Sequence, residues 1–312
     1  MENPLISIVM CTYNGEKYLR KQLDSIINQT YKPIELIIVD DCSSDETSVI
    51  LEEYKASHDY IEFYINEKNL GFNKNFERGL SLTTGSYIAI SDQDDIWYPE
   101  KLEQLYPHIG PNLLIFSNSE LIDEKDNLLG RQLLGELALS LLSYRSVLIY
   151  NFVTGHTILM KRDLLQLALP FPHDGYYDWW LGFIALKAHK LTYLNKVLTK
   201  YRIHEESIIR QKIVTSANGN NSMAILNYRS TLIQLNYFLD YLKINNETVF
   251  IDRLVLIYTK KRNALKKILD LAFIYLNYNA LFPMQKKRKL ISSSRFKLVK
   301  TYLKEVYIAK CQ

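Results

Sequence analysis

Along the first hundred residues, short apolar runs alternate with polar breaks and with stretches whose apolar positions recur at helical spacing. Leu5-Ile6-Ser7-Ile8-Val9-Met10 is a β-branched apolar run and predicts a buried strand. Cys11 to Gly15 breaks the run, and Glu16 to Asn28 then sets Leu19, Leu23, Ile26 and Ile27 at helical spacing. A second strand, Glu35 to Val39, ends at Asp40-Asp41-Cys42-Ser43-Ser44-Asp45. The Ser and Asp residues there suit a helix N-terminus, and Thr47 to Tyr54 continues as helix. Ile61 to Ile65 predicts a third strand, residues 66–75 a polar loop, the segment around Phe76 to Leu82 a helix, and Tyr87 to Ile90 a fourth strand.

Beyond Pro99 the pattern loosens. Leu113 to Ser117 and Val153 to Met160 have β character, the Leu-rich segment Leu128 to Tyr150 predicts a helix, and Trp179 to Lys190 predicts an amphipathic one. Leu191 to Leu194 and Val197 to Tyr201 read as a closing hairpin. From Ser222 onward apolar and basic residues recur at helical spacing, which predicts two or three further helices. Strand, loop and helix in alternation imply an α/β fold with a mainly parallel central sheet, over residues 1–210, followed by a mainly α-helical region over 211–312. In open sheets of this kind ligands sit outside the carboxyl ends of the strands, so the loops bearing Asn14, Asp41, Lys74 and Asp94 are expected to converge.

Charge sharpens the division. Residues 211–312 carry 18 Lys and Arg against 5 Asp and Glu, a net +13, which leaves −9 for residues 1–210. Such a split suggests two jobs: a reaction centre in the acidic part, and contact with an anionic membrane surface through 253–310, or with a second copy of the chain, in the basic part. A basic patch also raises nucleic acid, but no recognition motif accompanies it and no nucleic-acid partner is expected. Three cysteines without metal-type spacing fit a reducing cytoplasm. Neither a leader-like N-terminus nor an apolar run long enough for a membrane span is present, so a cytoplasmic protein, peripheral on the inner face of the plasma membrane, is expected.

The candidate chemistry sits after the fourth strand, where Ser91-Asp92-Gln93-Asp94-Asp95-Ile96-Trp97 places three carboxylates in four positions. Two like charges at ~4 Å near a protein surface repel by roughly 4 kcal/mol, so the cluster calls for a counter-charge. A divalent cation, Mn²⁺ or Mg²⁺, supplies one through carboxylate oxygens. An acidic turn ahead of the following helix is the plainer use of the same residues. No Gly-rich dinucleotide fingerprint, P-loop or nucleophile elbow occurs, which argues against those chemistries.

Four stretches in order, Pro4 to Asn14, Ile38 to Asp45, Asn69-Leu70-Gly71 and the Asp-Gln-Asp-Asp cluster, resemble the successive signatures of family 2 glycosyltransferases with the GT-A fold. Asp178-Trp179-Trp180 and Tyr201-Arg202-Ile203-His204 further resemble the rhamnosyltransferase-like branch. The resemblance implies a Rossmann-like nucleotide-diphospho-sugar transferase fold and a metal-dependent inverting transfer of a sugar from a nucleotide-sugar donor, such as dTDP-rhamnose, to a hydroxyl of a surface glycan or lipid-linked oligosaccharide. It places Thr12, Tyr13, Asn14 and Glu16 beside the nucleotide, with Asp40 or Asp41 accepting from the base. Lys74 would approach the base or diphosphate, Arg202 the diphosphate, Asp92 the ribose, Asp94 and Asp95 the metal, and His204 the metal or diphosphate. Asp178 matches the catalytic base, which must take the acceptor's proton; capping a helix is its plainer use. Trp97, Trp179 and Trp180 suit either sugar stacking or core packing. A sugar-nucleotide nucleotidyltransferase and a non-catalytic binding subunit of a glycan-assembly complex are the rival readings.

Overall fold

The computed structural model describes residues 3–135, 137, 139, 142–204, 222–244, 247–282 and 292–310, with backbone alone at 222–227 and 292–294. It divides into two compact units, 1–134 with 153–204, and 135–152 with 205–312. The expected boundary at 210 and the basic cluster Lys286 to Lys289 lie outside the described residues. Residues 135–152, inside the expected first region, group with the second unit.

In the first unit, β1 (Ile6–Thr12), α1 (Glu16–Ile27), β2 (Ile34–Asp40), α2 (Thr47–Ser57), β3 (Ile61–Ile65), α3 (Phe72–Leu82) and β4 (Tyr87–Ser91) follow one another as the apolar pattern predicts. Then come β5 (Ile96–Trp97), α4 (Lys101–Ile109), β6 (Leu114–Ile122), β7 (Leu128–Gln132), β8 (Ile158–Lys161), α5 (Asp163–Ala168), α6 (Tyr177–Lys187) and β9 (Leu191–Arg202). The sheet runs β3-β2-β1-β4-β8-β6-β9-β5, with β7 paired to β6. Strands β1 to β4 are parallel, whereas β8 is antiparallel to both neighbours and β9 again parallel to β6.

Period-two alternation sorts the core. Ile6, Ile8 and Met10 of β1 pack with Leu19, Leu23 and Ile26 of α1 and with Leu102 and Leu105 of α4. Val9 points the other way, onto α3, where a Cβ on Gly79 would lie 2.6 Å from its Cγ1. Only glycine lets that helix sit so close to the sheet. The parallel registers set Thr12 opposite Asp40, Asp40 opposite Ile65, and Met10 opposite Ser91. Four loops therefore leave the sheet at one edge.

Three sequence expectations are corrected. The described residues of Leu128 to Tyr150 do not form the expected helix: they hold the exposed strand β7 and the 3₁₀ turn Tyr144–Val147. The hairpin expected over 191–201 is one strand, β9, whose register against β6 shifts between Phe116 and Ser119. The helix expected to be amphipathic, α6, buries nearly every side, from Tyr177 through Leu186.

The second unit contains α7 (Ser222–Lys243), α8 (Val249–Thr259), α9 (Ala264–Leu276), the short α10 (Tyr278–Leu281) and α11 (Ser292–Lys310). Asp270 of α9 is fully buried and accepts from Arg253 at 2.7 Å and Tyr307 at 2.9 Å, with Arg262 Nε at 2.9 Å. No helix among the described residues is long and apolar enough to cross a membrane.

Candidate active site

The four loops are tied to one another by side chains that the strands present. Asp40, buried at the end of β2, accepts from Thr12 Oγ1 at 2.7 Å and from the Ser43 backbone at 2.8 Å. Asn14, at φ +48°, accepts from the Ser44 backbone at 2.9 Å, and its own N–H donates to Ser43 Oγ. Glu16 accepts from the Glu46 backbone at 2.8 Å. Asp41 faces the next loop: it accepts from Asn66 Nδ2 at 2.7 Å and from the N–H groups of Leu70 and Gly71 at 2.7 and 2.9 Å. Asn73 continues the chain of contacts, donating to Pro172 O and Gly175 O and accepting from the Tyr177 backbone. Gln93 closes it from the acidic cluster, exchanging two hydrogen bonds with the backbone of Tyr13.

At the cluster itself the carboxylates take different partners. Asp94 accepts from His204 Nε2 at 2.7 Å. Asp95 is fully buried; its Oδ1 accepts from the Arg202 backbone at 3.0 Å and its Oδ2 has no hydrogen-bond partner. Burial, then repulsion from Asp94 and Asp92, pushes its carboxyl well above the usual range. His156, from the turn before β8, lies with Nδ1 3.6 Å from both Asp92 and Asp95, while Nε2 is 2.8 Å from Ser119 Oγ and the ring stacks on Tyr201. Burial pulls its pKa down. Lys101, also fully buried, donates to His156 O at 2.6 Å and sits 3.3 Å over the Trp97 ring. Burial holds its ammonium well below the ordinary lysine value, against the pull of Asp95 and Asp92.

Asp178 lies in the first turn of α6, inside the helix rather than at its N-cap, which is Tyr176. Its carboxylate accepts from the Trp179 N–H at 2.6 Å and from the Gly155 N–H at 3.3 Å. Gly155 is the residue before His156, so Asp178 and the cluster share one wall. Buried Tyr177 and half-buried Tyr201 beside them are raised well above the ordinary phenol value, by removal from water first and then by Asp92, Asp95 and Asp178. At Gly155 the Tyr177 hydroxyl occupies the position a Cβ would take.

The remaining sequence candidates are placed as follows. Lys74 pairs with Glu77 on its own helix at 2.9 Å. Tyr13 is half exposed at the loop tip. Arg202 is fully buried, donating from Nε to Asp94 O at 2.7 Å and from Nη1 to Asp123 O at 3.1 Å and to Asp126, with its guanidinium 4.4 Å from the centre of the Tyr18 ring. It braces the loop that carries Asp94. Trp97, Trp179 and Trp180 are buried in the core.

Sequence reasoning did not single out His156, Ser119 or Lys101, and gave Tyr201 no role beyond the motif that ends at His204. An imidazole inside the apolar run Val153 to Met160 was the available signal, since a buried polar ring needs partners. Asp92, Asp95 and His156 offer ligand atoms within 4.8 Å of one another, so the side chains would have to close somewhat on a small divalent ion, whose ligands at ~2.1 Å lie no more than ~4.2 Å apart. The unpartnered Asp95 Oδ2 suits a hard divalent ion such as Mn²⁺ or Mg²⁺, and the imidazole in the donor set favours Mn²⁺ of the two.

A profile described as glycosyl transferase family 2 matches residues 7–167. Over 215 residues the chain is 34% identical to an uncharacterised glycosyltransferase of Methanocaldococcus jannaschii, covering 65% of this chain and 72% of that protein. Over 217 residues it is 30% identical to the Escherichia coli UDP-Glc:alpha-D-GlcNAc-diphosphoundecaprenol beta-1,3-glucosyltransferase WfgD, covering 68% and 82%. The S. aureus TarS 1-349 structure in complex with UDP-GlcNAc superposes with a TM-score of 0.55 at 17% identity, over 97% of this chain and 90% of that one. The mannosyltransferase PcManGT from Pyrobaculum calidifontis, in complex with GDP-Man and Mn²⁺, gives 0.56 at 13% identity, over 99% and 86%. At those identities the two structures establish a shared GT-A-like fold.

Proposed function

The chain belongs to glycosyl transferase family 2, and from that premise we propose that it is a metal-dependent, inverting transferase acting from a nucleotide-sugar donor on a hydroxyl of a surface glycan or lipid-linked oligosaccharide. The observation that carries this reading is the single wall on which Asp92, Asp95 and His156 stand next to Asp178 through Gly155. A divalent ion held by Asp92, Asp95 and His156, with Asp94 and His204 beside them, would supply positive charge to the diphosphate oxygens as the leaving group forms.

The chain's own residues do the rest. The loop Thr12-Tyr13-Asn14, fixed by Asp40, Ser43, Glu16 and Gln93, holds the nucleotide, and Asp41 shapes the floor on which the base rests. Lys74, at the start of α3, would turn from Glu77 toward the diphosphate, while buried Arg202, paired with Asp126, keeps the Asp94 loop in place. Asp178, oriented by two backbone N–H groups, takes the acceptor proton as its oxygen attacks the anomeric carbon. One base and direct displacement invert that centre.

The branch-like motifs around Asp178 and His204 make dTDP-rhamnose the first donor to test, and the Escherichia coli relative makes UDP-glucose the second. The test is Mn²⁺-dependent turnover across a nucleotide-sugar panel, run on the native chain and on Asp178→Asn. The expected result is one productive donor, with turnover falling about 10²–10⁴-fold in the variant while that donor still raises its melting temperature. Equal turnover by both proteins would remove Asp178 from its role.

A further inference from the structure

Helix α9 is inverted relative to a helix built only for water. Its inward face carries Asp270, fully buried among Arg253, Arg262 and Tyr307, together with Ile274. Its outward face carries Leu265 at 66% exposure, Ile268 at 62%, Leu269 at 51% and Leu276 at 81%, with exposed Ala272 between them. Positions 265, 268, 269, 272 and 276 form one continuous stripe on a 3.6-residue helix. Phe296 of α11, itself exposed, extends it through a ring contact with Tyr275. Exposed Lys260, Lys261, Lys266 and Lys267 crowd the N-terminal end of the helix, and Lys297 and Lys300 lie beside Phe296.

We propose that this face of the C-terminal unit docks on an anionic lipid bilayer, with α9 lying in the plane of the headgroups, its leucines below them and its lysines among the phosphates. An apolar stripe edged by lysines is the chemistry that such an interface selects, since lysine stems lie along the apolar surface while their ammonium groups stay with the anionic headgroups. A second copy of the chain is the poorer occupant. Parallel pairing would set lysines against lysines, and in either orientation one stripe on a 13-residue helix is small beside the ~800 Å² per partner that a stable interface buries. The inference does not depend on the transferase reading.

The test is flotation of the full chain with vesicles of phosphatidylcholine alone or mixed with phosphatidylglycerol. The native chain is expected to float with the mixed vesicles. Combined Ile268→Ser, Leu269→Ser and Leu276→Ser should cut the bound fraction at least tenfold at an unchanged melting temperature. Leu276→Ser alone, at the most exposed position, should lower it with the least demand on packing, and Lys261→Glu with Lys266→Glu should abolish the preference for the anionic lipid. Equal recovery of the native chain from both vesicle types, or serine variants that float like the native chain, would overturn the proposal. So would a native dimer in sedimentation that the serine variants convert to monomer.

Discussion

His156 shows how one buried side chain can organise several charged ones. Its ring is fixed by Ser119 and Tyr201 on one side and faces two carboxylates on the other, so it can add a donor atom to them without moving. His156→Ala should therefore shrink the rise in melting temperature on adding Mn²⁺ well before it shrinks the rise on adding nucleotide; an undiminished Mn²⁺ effect would take the imidazole out of the ion's reach. Asp41 answers to a different measurement. Its replacement by Ala takes the acceptor from the Leu70 N–H and leaves the Gly71 N–H with Asn69 Oδ1 alone, which should cost ~1–3 kcal/mol in denaturant unfolding. The acidic cluster was legible in the sequence because three carboxylates in four positions need an explanation. The residues that surround it were not, because Ser119, Lys101 and His156 come from distant segments and meet only when β6, α4 and the turn before β8 pack together.

The elements of the first ninety residues were legible for a simple reason: each buried parallel strand is a short apolar run bounded by polar residues. Farther on the rule fails. All five residues of β7 are exposed, so it has no apolar pattern to display, and its leucines invited a helix instead. Asn195-Lys196 interrupts the apolar residues of β9 and mimics a turn, whereas the long strand absorbs the break where its register against β6 shifts. Glu35 offers a test at this scale, because it ties β2 to the start of β4 by accepting from Ser7 Oγ, Thr84 N and Oγ1, and Gly85 N. Burial alone would raise its pKa, but these donors outweigh burial and hold it below the ordinary 4.5. The stabilisation is thus complete above the unfolded-state pKa and is lost as pH falls through the lower folded value. Glu35→Ala should melt a few degrees below the native chain at pH 7, with the gap closing as the pH drops below about 4; a constant gap would mean that the carboxylate's charge contributes nothing.

For the whole molecule, the imbalance of charge between residues 1–210 and 211–312 suggests two jobs; the structure describes two compact units whose bounds do not coincide with those parts, since 135–152 group with the second. What the sequence hid was that the basic unit is built around an acid. Asp270 holds Arg253, Arg262 and Tyr307 together, so Asp270→Ala should cost that unit about 3–5 kcal/mol by leaving buried cationic groups without their counter-charge. A transition shifted to lower denaturant for the unit containing Asp270, with the first unit unfolding as before, is the expected signature.

The absent side chain at residue 155 acts as a spacer of fixed thickness between the first turn of α6, which carries Asp178, and the His156 imidazole. Adding a single methyl, Gly155→Ala, would drive a wedge against the Tyr177 hydroxyl and swing the first turn of α6 outward. Turnover should then collapse while donor and Mn²⁺ still bind with near-native affinity, because the two halves of the chemistry would each be intact and merely too far apart to share one substrate.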